Sequence, residues 1–150
     1  MKKFRLLKKL FLFCALLSFS SAYSQSVDCD HLIGSWHNAR KSTLTVSAVD
    51  ASTGQITGTY TIIGSTGPET FPLTGYVHLN IAGTDNLSTL VNFCVSFIPY
   101  KSSCSWSGYC SMQNGQPTIH TLWLLVSANA NAPFNHITTD VDDFTPGAAK

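Results

Sequence analysis

The chain has few charged residues. Asp, Glu, Lys and Arg make up 11% of its 150 residues, against roughly 25% in an average soluble domain. Five of its nine basic residues fall within the first nine positions, so the rest carries four basic against eight acidic residues, a net charge near −4. We therefore expect no nucleic-acid partner and no membrane-surface helix.

The sequence also lacks the motifs of the common enzyme classes. It has no GxSxG, HExxH, P-loop or dinucleotide-binding motif, and its five histidines are scattered. The one acidic cluster, residues 140–143, lacks the glycine and distal glutamate of a calcium loop and by itself is typical of a solvated loop. We expect no catalysis, no cofactor and no metal site.

The N-terminal residues 1–24 are predicted to be a secretory signal peptide. A basic start precedes the apolar run 10–19 and the small-residue stretch 20–24. That run is shorter than the ~20 residues a transmembrane helix needs. We expect cleavage after Ala22 or Ser24, one mature domain at residues 25–150, and a secreted or periplasmic protein.

Four cysteines remain after this cleavage: Cys29, Cys94, Cys104 and Cys110. An oxidising compartment favours at least one disulfide. The residues alone allow three pairings, and none of their spacings is the CxxC of a zinc site or redox motif.

No segment has the long 3.6-residue apolar period of an amphipathic helix. Short runs rich in β-branched and aromatic residues instead alternate with turn residues, and Asn114-Gly115 is a hairpin signal. Eight strands are predicted, at residues 33–38, 43–49, 55–63, 70–79, 87–98, 103–112, 118–126 and 137–144. This pattern indicates a barrel or a sandwich. We favour an all-β, eight-stranded antiparallel up-and-down β-barrel, because closure removes sheet edges and leaves room for one small ligand.

The predicted seventh strand is apolar on both faces. Thr121, Trp123 and Leu125 share one face, and Leu122, Leu124 and Val126 share the other. Such a strand needs cover on both sides, so we expect a core or ligand on the inner face and another subunit on the outer face.

Aromatic residues recur in five of the predicted strands. They are Trp36, Tyr60, Phe97, Trp106 and Trp123. Aromatic rings with a few polar neighbours are the usual lining of a small-molecule pocket, but ordinary filling of a barrel core explains any one of them equally well.

Seven short motifs follow one another along nearly all of the mature chain. They are Gly34-Ser35-Trp36-His37-Asn38, Ser42-Thr43-Leu44, Thr57-Gly58-Thr59-Tyr60, Leu73-Thr74-Gly75, Trp106-Ser107-Gly108, Thr121-Leu122-Trp123-Leu124-Leu125 and Asp142-Asp143-Phe144. Their order and spacing resemble those of the avidin and streptavidin family of biotin-binding proteins.

The resemblance implies a non-catalytic protein that sequesters biotin, with a role for each matching residue. Asn38, Ser42 and Tyr60 would donate hydrogen bonds to the ureido oxygen, and Asp142 would accept one from a ureido N–H. The remaining implied contacts are Ser102 near the valerate carboxylate, Cys104 near the ring sulfur, an apolar box of Phe97, Trp106 and Trp123, and Leu125 beneath it.

Three positions depart from the family pattern. Ile62 stands where the family has a second acceptor for the ureido N–H groups, and Cys104 stands where it has a threonine. Phe97 replaces the usual tryptophan. An unmet buried N–H costs ~1–3 kcal/mol, so we expect weaker binding than in the tightest members.

The resemblance also implies a homo-oligomer, either dimer or tetramer, and a disulfide between Cys29 and Cys110. Phe134 lies where a neighbouring subunit's tryptophan would cap the pocket. Strand parity places Cys94 outside and Cys104 inside the barrel, so we expect these two to remain unbonded.

Two other classes remain open. Gly34-Ser35-Trp36 is also the GxW of lipocalin-like carriers of small apolar ligands, although the strands here are short and no helix is predicted after the eighth strand. A structural or adhesive barrel with a vestigial pocket is favoured by Ile62 and Cys104.

Overall fold

The computed structural model describes residues 27–79, 88–128 and 136–147. These residues form eight antiparallel strands in one closed barrel, in which each strand pairs with its neighbours in sequence and β8 pairs with β1. The strands are β1 (Gly34–His37), β2 (Thr43–Val49), β3 (Gln55–Gly64), β4 (Gly67–His78), β5 (Thr89–Phe97), β6 (Ser102–Gln113), β7 (Gln116–Ser127) and β8 (Ile137–Pro146). The predicted fold class is confirmed.

Several strands extend further than predicted. β6 and β7 stay paired as far as Gln113 and Gln116, with Asn114 and Gly115 forming a two-residue turn. Both turn residues have positive φ, 51° and 79°, which suits Asn and Gly in a hairpin turn that follows the strand twist. Composition missed these ends because two glutamines and Pro117 are poor strand formers taken singly.

Side chains alternate between the inside and the outside of the barrel, most regularly along β4 and β5. Along β5 every second residue from Thr89 to Phe97 is buried, and the intervening ones are exposed. β7 separates into the two predicted faces: Thr121 is buried, Trp123 and Leu125 are partly buried, and Leu122 is 60% exposed. Cys94 is exposed and Cys104 is buried, both as free thiols.

One end of the barrel is closed by the N-terminal segment, residues 27–33. Cys29 is disulfide-bonded to Cys110 of β6, as expected. Trp36 is fully buried, and its indole N–H donates to the Leu32 carbonyl at 2.9 Å. The disulfide joins residues separated by 81 positions, for which chain entropy predicts about 4–5 kcal/mol of stabilisation. We call this the disulfide end.

The β1–β2 turn, the β3–β4 turn, the β5–β6 connection, the end of β7 and the start of β8 lie at the opposite end, which we call the β1–β2 end. A short 3₁₀ turn, Ile98–Tyr100, lies in the β5–β6 connection. In the described parts of the chain, no helix has the length and apolar character needed to cross a bilayer.

Candidate ligand-binding site

Four polar side chains converge inside the barrel at the β1–β2 end. Asn38 and Ser42 flank the β1–β2 turn, Tyr60 comes from β3 and Asp142 from β8, and all four are buried. The turn is held by its own backbone: Asn38 N–H donates to the Ser42 carbonyl at 3.2 Å, and Lys41 N–H to the Asn38 carbonyl at 3.1 Å. Backbone geometry therefore places Asn38 and Ser42 side by side.

The Asn38 amide links the members of this cluster. Its oxygen accepts from the Ser42 N–H at 2.8 Å, and its Nδ2 donates to Asp142 Oδ2 at 2.9 Å. The same Nδ2 lies 3.4 Å from the Tyr60 hydroxyl. Both ends of the amide are thus used, which fixes its orientation.

Burial governs the protonation of the cluster. It raises the pKa of Tyr60 to about 12, with the nearby Asp142 charge adding to the effect and the Ser42 hydrogen bond opposing it. Burial also raises the pKa of Asp142, while the Asn38 hydrogen bond and the Arg40 charge favour its carboxylate. Tyr60 therefore keeps its proton near neutral pH and can donate it in a hydrogen bond.

Aromatic rings surround the polar cluster. The Trp106 ring lies 4.8 Å from Tyr60 and stacks on Phe93 at 4.8 Å, and Phe97 meets Phe71 edge-on at 4.9 Å. Phe97 and Trp106 were predicted from the sequence, whereas Phe71 and Phe93 were not. Counting strand parity along β4 and β5 would have found both, since each shares the inward face of its strand.

β6 and β7 supply the other predicted residues. Cys104 pairs in register with Leu125, and Trp106 with Trp123, so these four share one interior wall. Burial raises the pKa of the Cys104 thiol to about 12, which keeps it protonated. Ser102 is partly buried at the start of β6.

Two indole N–H groups in this wall have no hydrogen-bond partner among residues 27–79, 88–128 and 136–147. Trp106 Nε1 and Trp123 Nε1 are both buried and unbonded, although the Trp106 N–H faces Asp142 closely enough to favour its carboxylate form. An unsatisfied buried donor costs ~1–3 kcal/mol. Two such donors in one wall indicate a site in which a ligand supplies the missing hydrogen-bond acceptors.

Two other positions were predicted from the sequence to affect the site, Ile62 and Phe134. Ile62 is partly buried and packs against the interior cluster, on the same face of β3 as Tyr60. Phe134 lies outside the described residues.

Arg40 was missed by the sequence analysis. It lies at the tip of the β1–β2 turn, where its Nη2 donates to Asp140 at 2.5 Å and its Nε lies 3.4 Å from Asp142 Oδ1. Its Cζ is 5.6 Å from the centre of the Trp123 ring. No local signal marks these contacts, because their partners are about a hundred residues away in sequence.

In the part of the chain that the structure describes, no group of three His, Cys, Asp or Glu side chains lies close enough together to hold a metal ion. What the site offers is hydrogen-bond donors and one carboxylate inside an aromatic wall. This chemistry suits a small, mostly apolar ligand with a compact polar group.

Comparison with protein families matches residues 26–147 to the avidin family. The chain belongs to the avidin family. Among solved structures, xenavidin is 29% identical, with a TM-score of 0.64 over 79% of this chain and 98% of that one. Core-bradavidin is 31% identical, with a TM-score of 0.59 over 74% of this chain and 96% of that one.

A biotin binding protein from chicken has a TM-score of 0.64 at 23% identity and shares the avidin fold; the alignment covers 79% of this chain and 98% of the chicken chain. A search of curated proteins found no match.

Proposed function

We propose that this avidin-family chain binds biotin non-covalently inside the β1–β2 end of its barrel and does not transform it. One observation carries the proposal: Asn38, Ser42, Tyr60 and Asp142 converge at a single buried point beside aromatic rings. These are the residue types that a cyclic urea requires, several donors for its oxygen and a carboxylate for its N–H.

The polar cluster would recognise the ureido group. Ser42 and Tyr60 donate their hydroxyl protons to the ureido oxygen. Asn38 keeps one amide proton on Asp142 and turns the other to the ureido oxygen; without ligand, the Asn38 Nδ2 lies 3.4 Å from the Tyr60 hydroxyl. Asp142 accepts from a ureido N–H. A charge-assisted hydrogen bond of this kind in a dry site is worth about 1.5–3 kcal/mol.

The interior walls would hold the rest of the ligand. Phe97, Trp106 and Trp123 enclose the ring system with Leu125 beneath, and Cys104 lies near the ring sulfur. Ser102, at the start of β6, reaches the valerate carboxylate. Rigid aromatic walls lose little freedom on binding.

Affinity would be lower than in the tightest family members. Ile62 has no acceptor to offer a second ureido N–H, which leaves that group unpaired at a cost of ~1–3 kcal/mol. The neutral Cys104 thiol is a weak hydrogen-bond donor.

Calorimetric titration of the mature protein tests the proposal directly. Biotin should give saturable heat and raise the melting temperature. Lipoic acid is the matched control, because it has a sulfur ring and a carboxylate tail but no ureido group. Equal binding of the two would favour the alternative of a carrier for apolar ligands. No heat with either would reject both.

We also propose that residues 1–24 are removed as a signal peptide and that residues 25–150 form the exported, secreted or periplasmic domain. The Cys29–Cys110 disulfide supports this location, because disulfides persist in oxidising compartments.

Finally, we propose a homo-oligomer, dimer or tetramer, assembled through the outer face of β7 and β8. On this face Leu122 lies opposite Val141 and Val126 opposite Ile137, and Val141 is 66% exposed. Contiguous exposed aliphatic side chains are typical of an interface. Phe134 would cap a neighbouring pocket in such an assembly.

Light scattering tests the assembly. Leu124→Glu should lower the molecular mass, and Thr74→Glu, on the outer face of β4, should not. An unchanged mass for Leu124→Glu would place the interface elsewhere or show a monomer.

A further inference from the structure

The seam between β1 and β8 is short at the β1–β2 end. β1 has four residues and pairs with β8 only at Trp36–Pro146 and His37–Thr145. The N-terminal part of β8, which carries Asp140 and Asp142, therefore has no β1 partner. The Arg40 side chain crosses this part of the seam.

Arg40 joins two carboxylates in different surroundings. Asp140 is 52% exposed and Asp142 is 7% exposed, and the guanidinium contacts both, with Nη2 on the first and Nε on the second. It also lies over the Trp123 ring at 5.6 Å, within cation–π range. The guanidinium is thus held at the edge of the proposed biotin site by three groups on two strands.

Arg40 is the one cation among the groups that face Asp142 in the described chain. Those groups are Asn38 and Arg40 from the β1–β2 turn, Tyr60 from β3, and Cys104 and Trp106 from β6. The pKa values of Tyr60 and Cys104 are both raised to about 12, so neither adds charge near neutral pH. A buried carboxylate without a counter-ion is costly. Arg40 relieves that cost.

We propose that Arg40 is a specificity-determining residue of the binding site: its guanidinium neutralises Asp142 on one side, so that the site accepts an uncharged N–H donor and disfavours a cationic ligand. This rests on the proposed function. Asp142 Oδ2 accepts from Asn38 and Oδ1 faces Arg40, and each carboxylate oxygen has a further lone pair for a ligand N–H. A cationic head would meet Arg40 as a like charge.

The selectivity of the mature protein tests this proposal. The probes are biotin, a neutral cyclic urea, and its cyclic guanidine analogue at pH 6, where that group is protonated. Both dissociation constants are measured for wild type, Arg40→Met and Arg40→Lys. Arg40→Met should reduce the preference for biotin, which is the ratio of the two dissociation constants, by about threefold to tenfold. This is the size of effect expected for the interaction of a half-exposed charge. Arg40→Lys should retain most of it. An unchanged preference in Arg40→Met would overturn the proposal.

A ligand-free measurement separates this proposal from the proposed function. Carboxyl carbon NMR follows the titration of Asp142 in wild type, Arg40→Met and Asp140→Asn. The pKa of Asp142 should rise in Arg40→Met, which removes its counter-ion. The pKa of Asp142 should fall in Asp140→Asn, which removes the other carboxylate that binds the Arg40 guanidinium. A side chain that only tethers the turn would leave both titrations unchanged, and that result would overturn the proposal.

Failure of wild type to bind biotin would reject the proposed function and the ligand preference together. Opposite pKa shifts in the two variants would still support Arg40 as the counter-ion of Asp142.

Discussion

The two ends of this barrel differ in the hydrogen bonding of their buried tryptophans. At the disulfide end, Trp36 is fully buried and its indole N–H is satisfied by the Leu32 carbonyl. At the β1–β2 end, the buried indole N–H groups of Trp106 and Trp123 make no hydrogen bond with a described residue, although that of Trp106 faces Asp142. A carboxylate, Asp142, is buried beside them.

This difference separates packing from binding. At the disulfide end, the buried indole donor is satisfied within the protein, and the Cys29–Cys110 bond ties the N-terminal segment to β6. The β1–β2 end holds donors and a charge whose hydrogen-bonding capacity the protein uses only in part. Native interiors rarely leave such groups unpaired, so the incomplete end is where a ligand is expected.

Trp36→Ala should cause the largest effect, on stability. Removing a fully buried tryptophan and its hydrogen bond should lower the free energy of unfolding by about 3–5 kcal/mol, measured by denaturant unfolding. Trp123→Ala is the matched variant at the other end. It should cost less stability, because Trp123 is only partly buried, and more biotin affinity. The reverse ranking would break the distinction between the two ends.

Asp142→Ala should weaken biotin binding by about 10- to 150-fold, the loss of a charge-assisted hydrogen bond worth about 1.5–3 kcal/mol. Asp143→Ala is the control, since that neighbour is exposed and pairs with His120 at 2.8 Å. Calorimetry compares the two. Binding by wild type should also weaken as the pH falls through the raised pKa of Asp142, because a protonated carboxyl is a poorer acceptor. Equal losses in both variants would contradict a specific role for Asp142.

Ile62→Ser should have the smallest effect, and in the opposite direction. A hydroxyl on the inward face of β3 would give the second ureido N–H a partner, tightening binding by roughly 1 kcal/mol, about fivefold. The measurement is a competition titration against wild type. Unchanged affinity would show that another group already serves that N–H.

Strand pattern predicted the barrel well. The two-residue period of β7 grouped Trp123 and Leu125 on one face, because a strand with one buried face has little freedom of register. The inward placement of Phe97 came from the family resemblance. The Cys29–Cys110 pair came from family resemblance, since the residues alone allowed three pairings.

The contacts of Arg40 could not be predicted in this way. These contacts depend on the position of the end of β1 relative to β8. That position is set by the pairing of the first and last strands, which closes the barrel. Phe71 and Phe93 were missed for a different reason. The site residues were predicted from aromatic residues that have polar neighbours. For Phe71 and Phe93, only their position on the inward face of the strand indicates a role.

The indole N–H resonances report separately on the two ends of the barrel. The chain has three tryptophans, so a ¹⁵N-labelled sample gives three indole signals, assigned by single Trp→Phe variants. On saturation with biotin, the signals of Trp106 and Trp123 should shift while that of Trp36 stays in place. Three unmoved signals, or a shift confined to Trp36, would show that biotin does not bind at the β1–β2 end.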